Sequence, residues 1–362
     1  MNKKNIYIIA GLIIVLGLIF WVKSDQSGSS NGSVKLGVIA GSTGEYASAG
    51  EGYIKGFNLA VEQWNSLHSP KFEPIIEDDS FNAVKGLAAY KKLSGIDNVD
   101  AYAVLSSFTI DAIYGLLHAE GKPVALGFEQ SLPAENDNIF QVLPAAVPVQ
   151  KGLGQELIRL GYKHPVAVVS NNTPVYQNFY SGLVSGYASA VPKYDIGDDI
   201  GTLRSQALAV VKASPDIIIF FGVPKNCALM VKEILRITNN KPPKFAFDNS
   251  FESGLSDYQN ILGSDIMKIN GTIISMSKND FTEEFKSAFK AKYSVDAPFG
   301  SDMGYNAFML LATTYDSSAS KWLDNMKTAK FTGSDGVLQF DANGLRIPNV
   351  FFGKVEGGKV IR

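Results

Sequence analysis

From Val34 onward the chain alternates short apolar runs with segments of helical period. Val34–Ala40 is a β-branched run closed by Gly41. Behind it Tyr53, Phe57, Ala60, Val61 and Trp64 recur at i, i+4, i+7, i+8 and i+11, which predicts an amphipathic helix over 50–67. Ser48-Ala-Gly-Glu51 reads as the capping box of that helix. The pattern goes on to predict strand 72–77, helix 83–93, strand 101–105, helix 109–119 and strand 123–127. A second series predicts helix 149–160, strand 166–170, helix 175–190, strand 194–198, helix 205–213, strand 216–221, helix 226–238 and strand 244–247. Residues 166–169 and 217–221 are apolar at every position, as parallel strands covered by helices on both sides must be. Repeated βα units of this kind predict an α/β protein with doubly wound, Rossmann-like sheets. The remainder predicts helices over 281–293, 302–315 and 321–328, then short strands near 337–340, 350–354 and 359–362.

Before this series stands an uncharged, mostly apolar run of 17 residues, Ile6 to Val22, preceded by Lys3 and Lys4. It is at the short end of what spans a bilayer, about 17–25 residues, and long for the core of a signal peptide, about 7–15. The lysines place its start in the cytoplasm and the rest outside. Ser24-Asp-Gln-Ser-Gly-Ser-Ser-Asn-Gly-Ser33 follows as a flexible polar linker. No A-x-A site ends the run, so an uncleaved membrane anchor is the expectation, with a cleaved export signal as the alternative. Either way residues 34–362 work outside the cytoplasm.

Length and charge narrow the function classes. A chain of 362 residues suggests two domains or one with two lobes. Lys+Arg 33 against Asp+Glu 35 gives a net charge of −2, which argues against a nucleic-acid partner. The single cysteine, Cys227, and three scattered histidines exclude a disulfide framework and make metal chemistry improbable. No dinucleotide fingerprint, phosphate loop or G-x-S-x-G elbow occurs, so neither a cofactor nor an enzyme is expected.

The polar residues instead collect where the predicted strands end, and open α/β sheets bind ligands there. These are Ser42 to Tyr46, Ser106-Ser107-Phe108-Thr109, Phe128-Glu129-Gln130, Asn171 to Thr173, and Asp248-Asn249. Ser107 and Thr109 precede a helix start, whose free N–H groups can hold a carboxylate or phosphate. Such hydroxyls equally often only cap their helix.

Val34-Lys-Leu-Gly-Val-Ile-Ala-Gly-Ser-Thr-Gly-Glu-Tyr-Ala-Ser-Ala-Gly50 followed by Gly56-Phe-Asn-Leu-Ala-Val-Glu-Gln-Trp-Asn65 resembles the opening of the leucine/isoleucine/valine-binding protein family, type I periplasmic solute-binding proteins of ABC importers. Asp78-Asp79, Ser106-Ser107 and Gly336-Val-Leu-Gln-Phe-Asp-Ala-Asn-Gly344 continue the likeness, with Leu345 where the family has Asp. The resemblance covers residues 34–362 and implies two lobes joined by three crossings, here near Ala146, Met276 and Gly336. It therefore implies a first lobe of residues 34–146 and 277–335 and a second of 147–276 and 336–362, behind the anchor and linker of 1–33.

The same resemblance implies a solute held between the lobes and passed to permease subunits of an ABC importer. Ser107, beside Ser106, matches the hydroxyl that binds the solute carboxylate. Tyr46 lies in the motif after the first strand, and Ala49 stands where an aromatic is usual. Phe128 and Gln130, flanking Glu129, match a loop that normally carries small residues and Thr. Tyr176 matches an aromatic that closes from the second lobe, and Val223 falls where an aromatic often stands. Asp248 or Asn249 falls near the acid that pairs with an α-ammonium group. The expected function is capture of a small polar solute, an amino acid or related compound. The alternative is a sensing ectodomain that acts through a partner signalling protein.

Overall fold

The computed structural model describes residues 32–362 apart from 45–46, 129–131, 134, 172–173, 198–199 and 278–279. The apolar run of 6–22 therefore lies outside the described residues. Among those that are described, no helix is long and apolar enough to cross a membrane.

Two sheets organise the chain. The first has five parallel strands in the order β2-β1-β3-β4-β5, formed by β1 Val34–Ile39, β2 Phe72–Glu77, β3 Ala101–Val104, β4 Val124–Leu126 and β5 Ile139–Gln141. The second has seven strands in the order β14-β13-β10-β9-β8-β6-β7, formed by β6 Pro165–Ser170, β7 Lys193–Ile196, β8 Ile217–Phe221, β9 Lys244–Phe247, β10 Ile273–Met276, β13 Phe351–Glu356 and β14 Lys359–Ile361. Only β13 and β14 run antiparallel to their neighbours. β3, β4, β6 and β8 are buried along their whole length, as strands between two helical layers must be. Each sheet has apolar clusters on both faces, the larger one of the first sheet around Tyr53, Phe57 and Phe308.

One helix pair in each lobe packs backbone against backbone. Helix Ala47–Leu67 lies on helix Ser301–Thr314. A Cβ on Gly52, Gly56 or Gly304 would collide with the main-chain oxygen of Phe299, Ser301 or Tyr53 respectively. In the second lobe, helix Ala146–Arg159 meets helix Pro174–Tyr187 in the same way, Gly182 and Gly186 facing the main-chain oxygens of Val147 and Lys151. The glycines also explain a correction at the first helix. It starts at Ala47, so Ser48 lies inside it and does not cap it. Gly50 at that end packs directly on the carbonyl of Gly41 after β1. Tertiary contact thus outweighs the poor helix propensity of Gly50 and Gly52.

The chain leaves the first sheet after β5 and enters helix Ala146–Arg159. It returns after β10 through helices Glu283–Tyr293, Ser301–Thr314 and Ala319–Lys327. The third crossing lies further on than the expected position near Gly336. Residues 330–339 form a hairpin, β11 Lys330–Gly333 with β12 Gly336–Gln339, and Leu338 and Phe340 sit in the core of the first lobe. Gly336, at φ 107, closes that hairpin turn, a conformation suited to glycine. Residues up to Arg346 stay with the first lobe: Gln141 N–H donates to the Gly344 carbonyl at 2.8 Å, and Arg346 N–H to that of Gln141 at 3.2 Å. The buried Arg346 guanidinium reaches Asp335 at 3.0 Å and the Val142 carbonyl at 3.1 Å. Asn306 donates to the other Asp335 oxygen at 3.0 Å. The first and third crossings thus lie side by side.

Gly56→Ala should destabilise the protein by about 1–3 kcal/mol, since two main chains in contact cannot yield. Gly115→Ala, at an exposed helical position with open space around it, should stabilise by about 0.5–1 kcal/mol. Urea unfolding of both variants checks this, and unchanged midpoints would contradict the backbone-to-backbone packing.

Candidate functional site

Because β1 to β5 run parallel in the first sheet and β6 to β10 in the second, the carboxyl ends of each set open on one edge. In the first lobe that edge carries Gly41 to Thr43 after β1, Asp78 to Phe81 after β2, Ser106 to Phe108 after β3, Phe128 after β4, and Leu143-Pro144 after β5. Main-chain bonds fix their mutual register: Phe128 N–H donates to the Leu105 carbonyl at 3.0 Å and Leu143 N–H to that of Gly127 at 3.1 Å. In the second lobe the corresponding edge carries Ser170-Asn171, Gly222-Val223 and Asp248-Asn249.

Asp78 organises the loops after β1 and β2. Its carboxylate accepts from the N–H groups of Ser42 at 2.8 Å, Thr43 at 3.3 Å and Ser80 at 3.0 Å, and from the Thr43 hydroxyl at 2.5 Å. Burial pushes this carboxyl up, but the donors from Thr43, Ser80 and Ser42 together outweigh it and hold the group at about 2. Asp79, fully buried, accepts from Phe81 N–H at 3.0 Å and from the Thr109 hydroxyl. Thr109, a candidate anion-binding hydroxyl in the sequence, is therefore engaged with an acid.

Ser106 precedes helix Ser107–Glu120 and makes no side-chain cap to it. Its hydroxyl is buried and has no partner among the described residues, whereas Ser107 is half-buried at the first helical position. An orphan hydroxyl beside free helical N–H groups suits a carboxylate. Phe108 stands exposed next to it, with Phe81 at 6.5 Å in an edge-on contact.

The two edges meet at a cavity of about 170 Å³ lined by Phe128, Leu143, Pro144 and Ala146 on one side and Val175, Asn178 and Phe179 on the other. Val175, Asn178 and Phe179 fall at i, i+3 and i+4 and so share one helical face. Larger depressions of about 430 and 460 Å³ lie on outer surfaces among charged side chains such as Lys286, Lys290 and Asp296, or Lys232, Glu233 and Arg236, away from the strand ends.

Tyr176, half-buried on the same helix, stacks edge-on against Phe179 at 5.7 Å. Burial pushes its hydroxyl well above the usual range, and the nearby Asp248 and Cys227 add to this. Asp248 is fully buried, and its Oδ1 accepts from Ser250 N–H at 2.6 Å at the start of the short helix Ser250–Ser253. Its Oδ2 is buried without a hydrogen-bond partner among the described residues; Asn249, the other candidate, is exposed. Burial raises Asp248 to about 6 against the pull of the Ser250 bonds, and it lies within the electrostatic reach of Tyr176, Cys227 and Tyr258.

Ala49 is half-buried in the first turn of its helix, and its carbonyl abuts Gly300. Val223 donates its N–H to the Ser170 hydroxyl at 3.4 Å and heads the next helix. Tyr46, Glu129 and Gln130 lie outside the described residues. The structure thus gathers Ser106, Ser107 and Phe128 at one edge, with Tyr176 on the facing helix and Asp248 buried after β9. Sequence reading passed over Phe81, Leu143, Val175, Asn178 and Phe179, although the i, i+3, i+4 spacing of the last three was visible.

Two α/β lobes with a shared cavity at their strand ends define a solute-binding architecture. The periplasmic binding protein model matches residues 33–359, and the chain belongs to that family. Solved structures share the fold. The solute-binding protein of an ABC transporter from R. palustris, in complex with benzoate, has 19% identity, covers 91% of this chain and 95% of its own, and has a TM-score of 0.69. The branched-chain amino acid transporter substrate-binding protein LivJ from Streptococcus pneumoniae, in complex with isoleucine, has 17% identity, covers 91% and 98%, and has a TM-score of 0.70. The leucine-binding protein LivK from Thermotoga maritima has 17% identity, covers 90% and 97%, and has a TM-score of 0.70. A comparison with curated proteins found no match.

Replacing Asp248 isolates the consequence of its burial. The unfolded chain releases this proton near 3.8, whereas the folded protein holds it to about 6. Its folded-state pKa being raised, stability is lost as pH rises across that window, by about 3 kcal/mol at roughly 1.4 kcal/mol per pH unit. Asp248→Asn keeps an oxygen for Ser250 and removes the charge. The variant should melt higher than the parent at pH 7.5 and together with it near pH 3.5. Melts recorded across that range test this; a variant that melts lower at pH 7.5 would refute it.

Proposed function

We propose that this protein is an extracytoplasmic receptor that captures a small carboxylate-bearing solute, an amino acid or a related acid, between its lobes and delivers it to the permease of an ABC importer. The observation that supports this most is the cavity shared by Phe128 and Leu143 of one lobe and Val175, Asn178 and Phe179 of the other. A solute in contact with both lobes favours whichever arrangement brings them together, by the difference of its affinities for the two. Ser107 and the orphan hydroxyl of Ser106 sit at a helix N-terminus, where a carboxylate is favoured. Membership of a family of solute receptors supports a role without catalysis, and bound isoleucine and benzoate in LivJ and in the R. palustris protein support an organic acid. Residues 6–22 hold the receptor at the outer face of the membrane through their length and leading lysines.

Mass spectrometry of the solute that co-purifies with the protein, followed by small-angle scattering, tests the receptor reading. The radius of gyration should fall when that solute is added back at saturation; an unchanged radius would count against a hinge. The anchor has its own test. The protein should fractionate with membranes and keep its first residues, and an intact mass corresponding to a start between Ser24 and Val34 would overturn it.

A further inference from the structure

Ser80 and Phe81, in the loop after β2, both stand in the left-handed region, at φ 49 and 53. A bulky residue rarely takes that conformation, and two in succession persist only where their surroundings hold them. Polar bonds do so here. Asp78 accepts from the Ser80 N–H at 3.0 Å and from its hydroxyl at 3.2 Å, and buried Asp79 accepts from the Phe81 N–H at 3.0 Å. The Thr43 and Ser80 hydroxyls are 2.6 Å apart, and the Lys85 ammonium donates to Ser80 at 2.9 Å. Asn82 then caps the following helix through the N–H groups of Val84 and Lys85.

This framework fixes the place of one ring. Phe81 lies against Gly41, where a Cβ would collide with the ring. It meets Phe108 edge-on, with centroids 6.5 Å apart and planes at 88°. Phe108 is 49% exposed on the second residue of its helix, so burial does not account for it. Phe81 and Phe128 pack against the same apolar cluster of the first lobe, and Phe128 is tied by its N–H to Leu105, three residues before Phe108. The facing lobe repeats the arrangement. Tyr176 meets Phe179 edge-on at 5.7 Å and 83°, and Phe179 lines the cavity with Phe128.

Two rings at right angles make a corner that offers the face of one and the edge of the other. An aromatic guest has an electronegative face and an electropositive edge, so it can match both walls of such a corner. A saturated ring of the same size gains only the burial of its surface.

Resting on the receptor reading above, we infer that the solute carries an aromatic ring, and that Phe81 and Phe108, which lie beyond the residues lining the cavity, select it by receiving that ring at their corner. The bonded loop after β2 sets the corner in advance, so selection requires no reordering of Phe81.

Calorimetric titration of the full-length protein in detergent with two pairs matched in headgroup and size tests this: phenylalanine against cyclohexylalanine, and benzoate against cyclohexanecarboxylate. In at least one pair the aromatic member should bind about three-fold or more tightly. Phe108→Ala removes an exposed side chain, and Phe81→Leu keeps an apolar filling against Gly41. Each should bring that ratio to about one, and Phe108→Ala should do so with its melting temperature unchanged. Equal or tighter binding of the saturated member in both pairs, or a preference that survives either substitution, would overturn the inference and leave the receptor reading standing. Binding of neither member of either pair would overturn it as well, and the co-purifying solute and the scattering measurement then decide the receptor reading by themselves.

Discussion

Everything at the binding edge depends on how closely two pairs of helices approach. In the first lobe, Gly52, Gly56 and Gly304 let helix Ala47–Leu67 and helix Ser301–Thr314 touch main chain to main chain. The second of these helices comes from a segment that follows β6 to β10 of the second sheet, so this contact is what closes the first lobe. The first helix also carries Gly50 onto Gly41, which sets the height of the loop after β1 above its strand. That loop is the one Asp78 gathers to β2. A wider helix pair would lift the loop and spread the strand ends that make the site. The second lobe repeats the device with Gly182 and Gly186, and the helix so placed is the one that presents Val175, Asn178 and Phe179.

Polar groups then fix what close packing leaves free. The Asp335–Arg346 pair is buried at the junction of the crossings, tied to Asn306 and to the Val142 carbonyl. A buried pair of this kind adds little net stability but penalises any arrangement that separates its members. It therefore holds the start of the third crossing against the start of the first. On the second-lobe side, the Ser275 hydroxyl donates to buried Gln150 at 2.9 Å, linking the strand before the second crossing to the helix after the first. The crossings are thus fastened at both ends, and residues 347–350 are left to carry the chain between lobes.

Much of this was legible in the sequence, because parallel strands buried on both faces are apolar at every position. β2 and β9 have the bounds that the pattern predicts, and β6 and β8 lie within a residue of theirs. What escaped has identifiable causes. β5 is three residues long and follows Asn136-Asp-Asn138, which reads as a loop, although Asn136 and Asn138 are buried and bonded to main-chain oxygens. Gly336 looks like a crossing and is a hairpin turn, a distinction that rests on pairing with residues 330–333. At the site, Ser106, Ser107 and Phe128 could be named from their place at strand ends. The bond between Asp248 and Ser250 could not, since it depends on side-chain geometry one step from the strand end.

Only part of the binding energy available at the site can act on the relation between the lobes. Reversing a two-state equilibrium from 1:99 to 99:1 takes about 5.5 kcal/mol of differential affinity. Burying a ring-sized apolar body gives about 1.5–3 kcal/mol. Supplying a partner to the Ser106 hydroxyl, buried without one among the described residues, recovers about 1–3 kcal/mol. A carboxylate at the N-terminus of helix Ser107–Glu120 adds about 0.3–1 kcal/mol, and more where the site is partly buried. Only contacts that need both lobes count towards that difference, so contributions made by the first lobe alone set affinity and not closure. The apolar term requires Phe128 of one lobe and Phe179 of the other, while the polar terms belong to the first lobe only. A solute with a carboxylate and no apolar body would therefore bind the first lobe without drawing in the second. Closure would follow from the apolar body, while the carboxylate would add affinity without adding to closure.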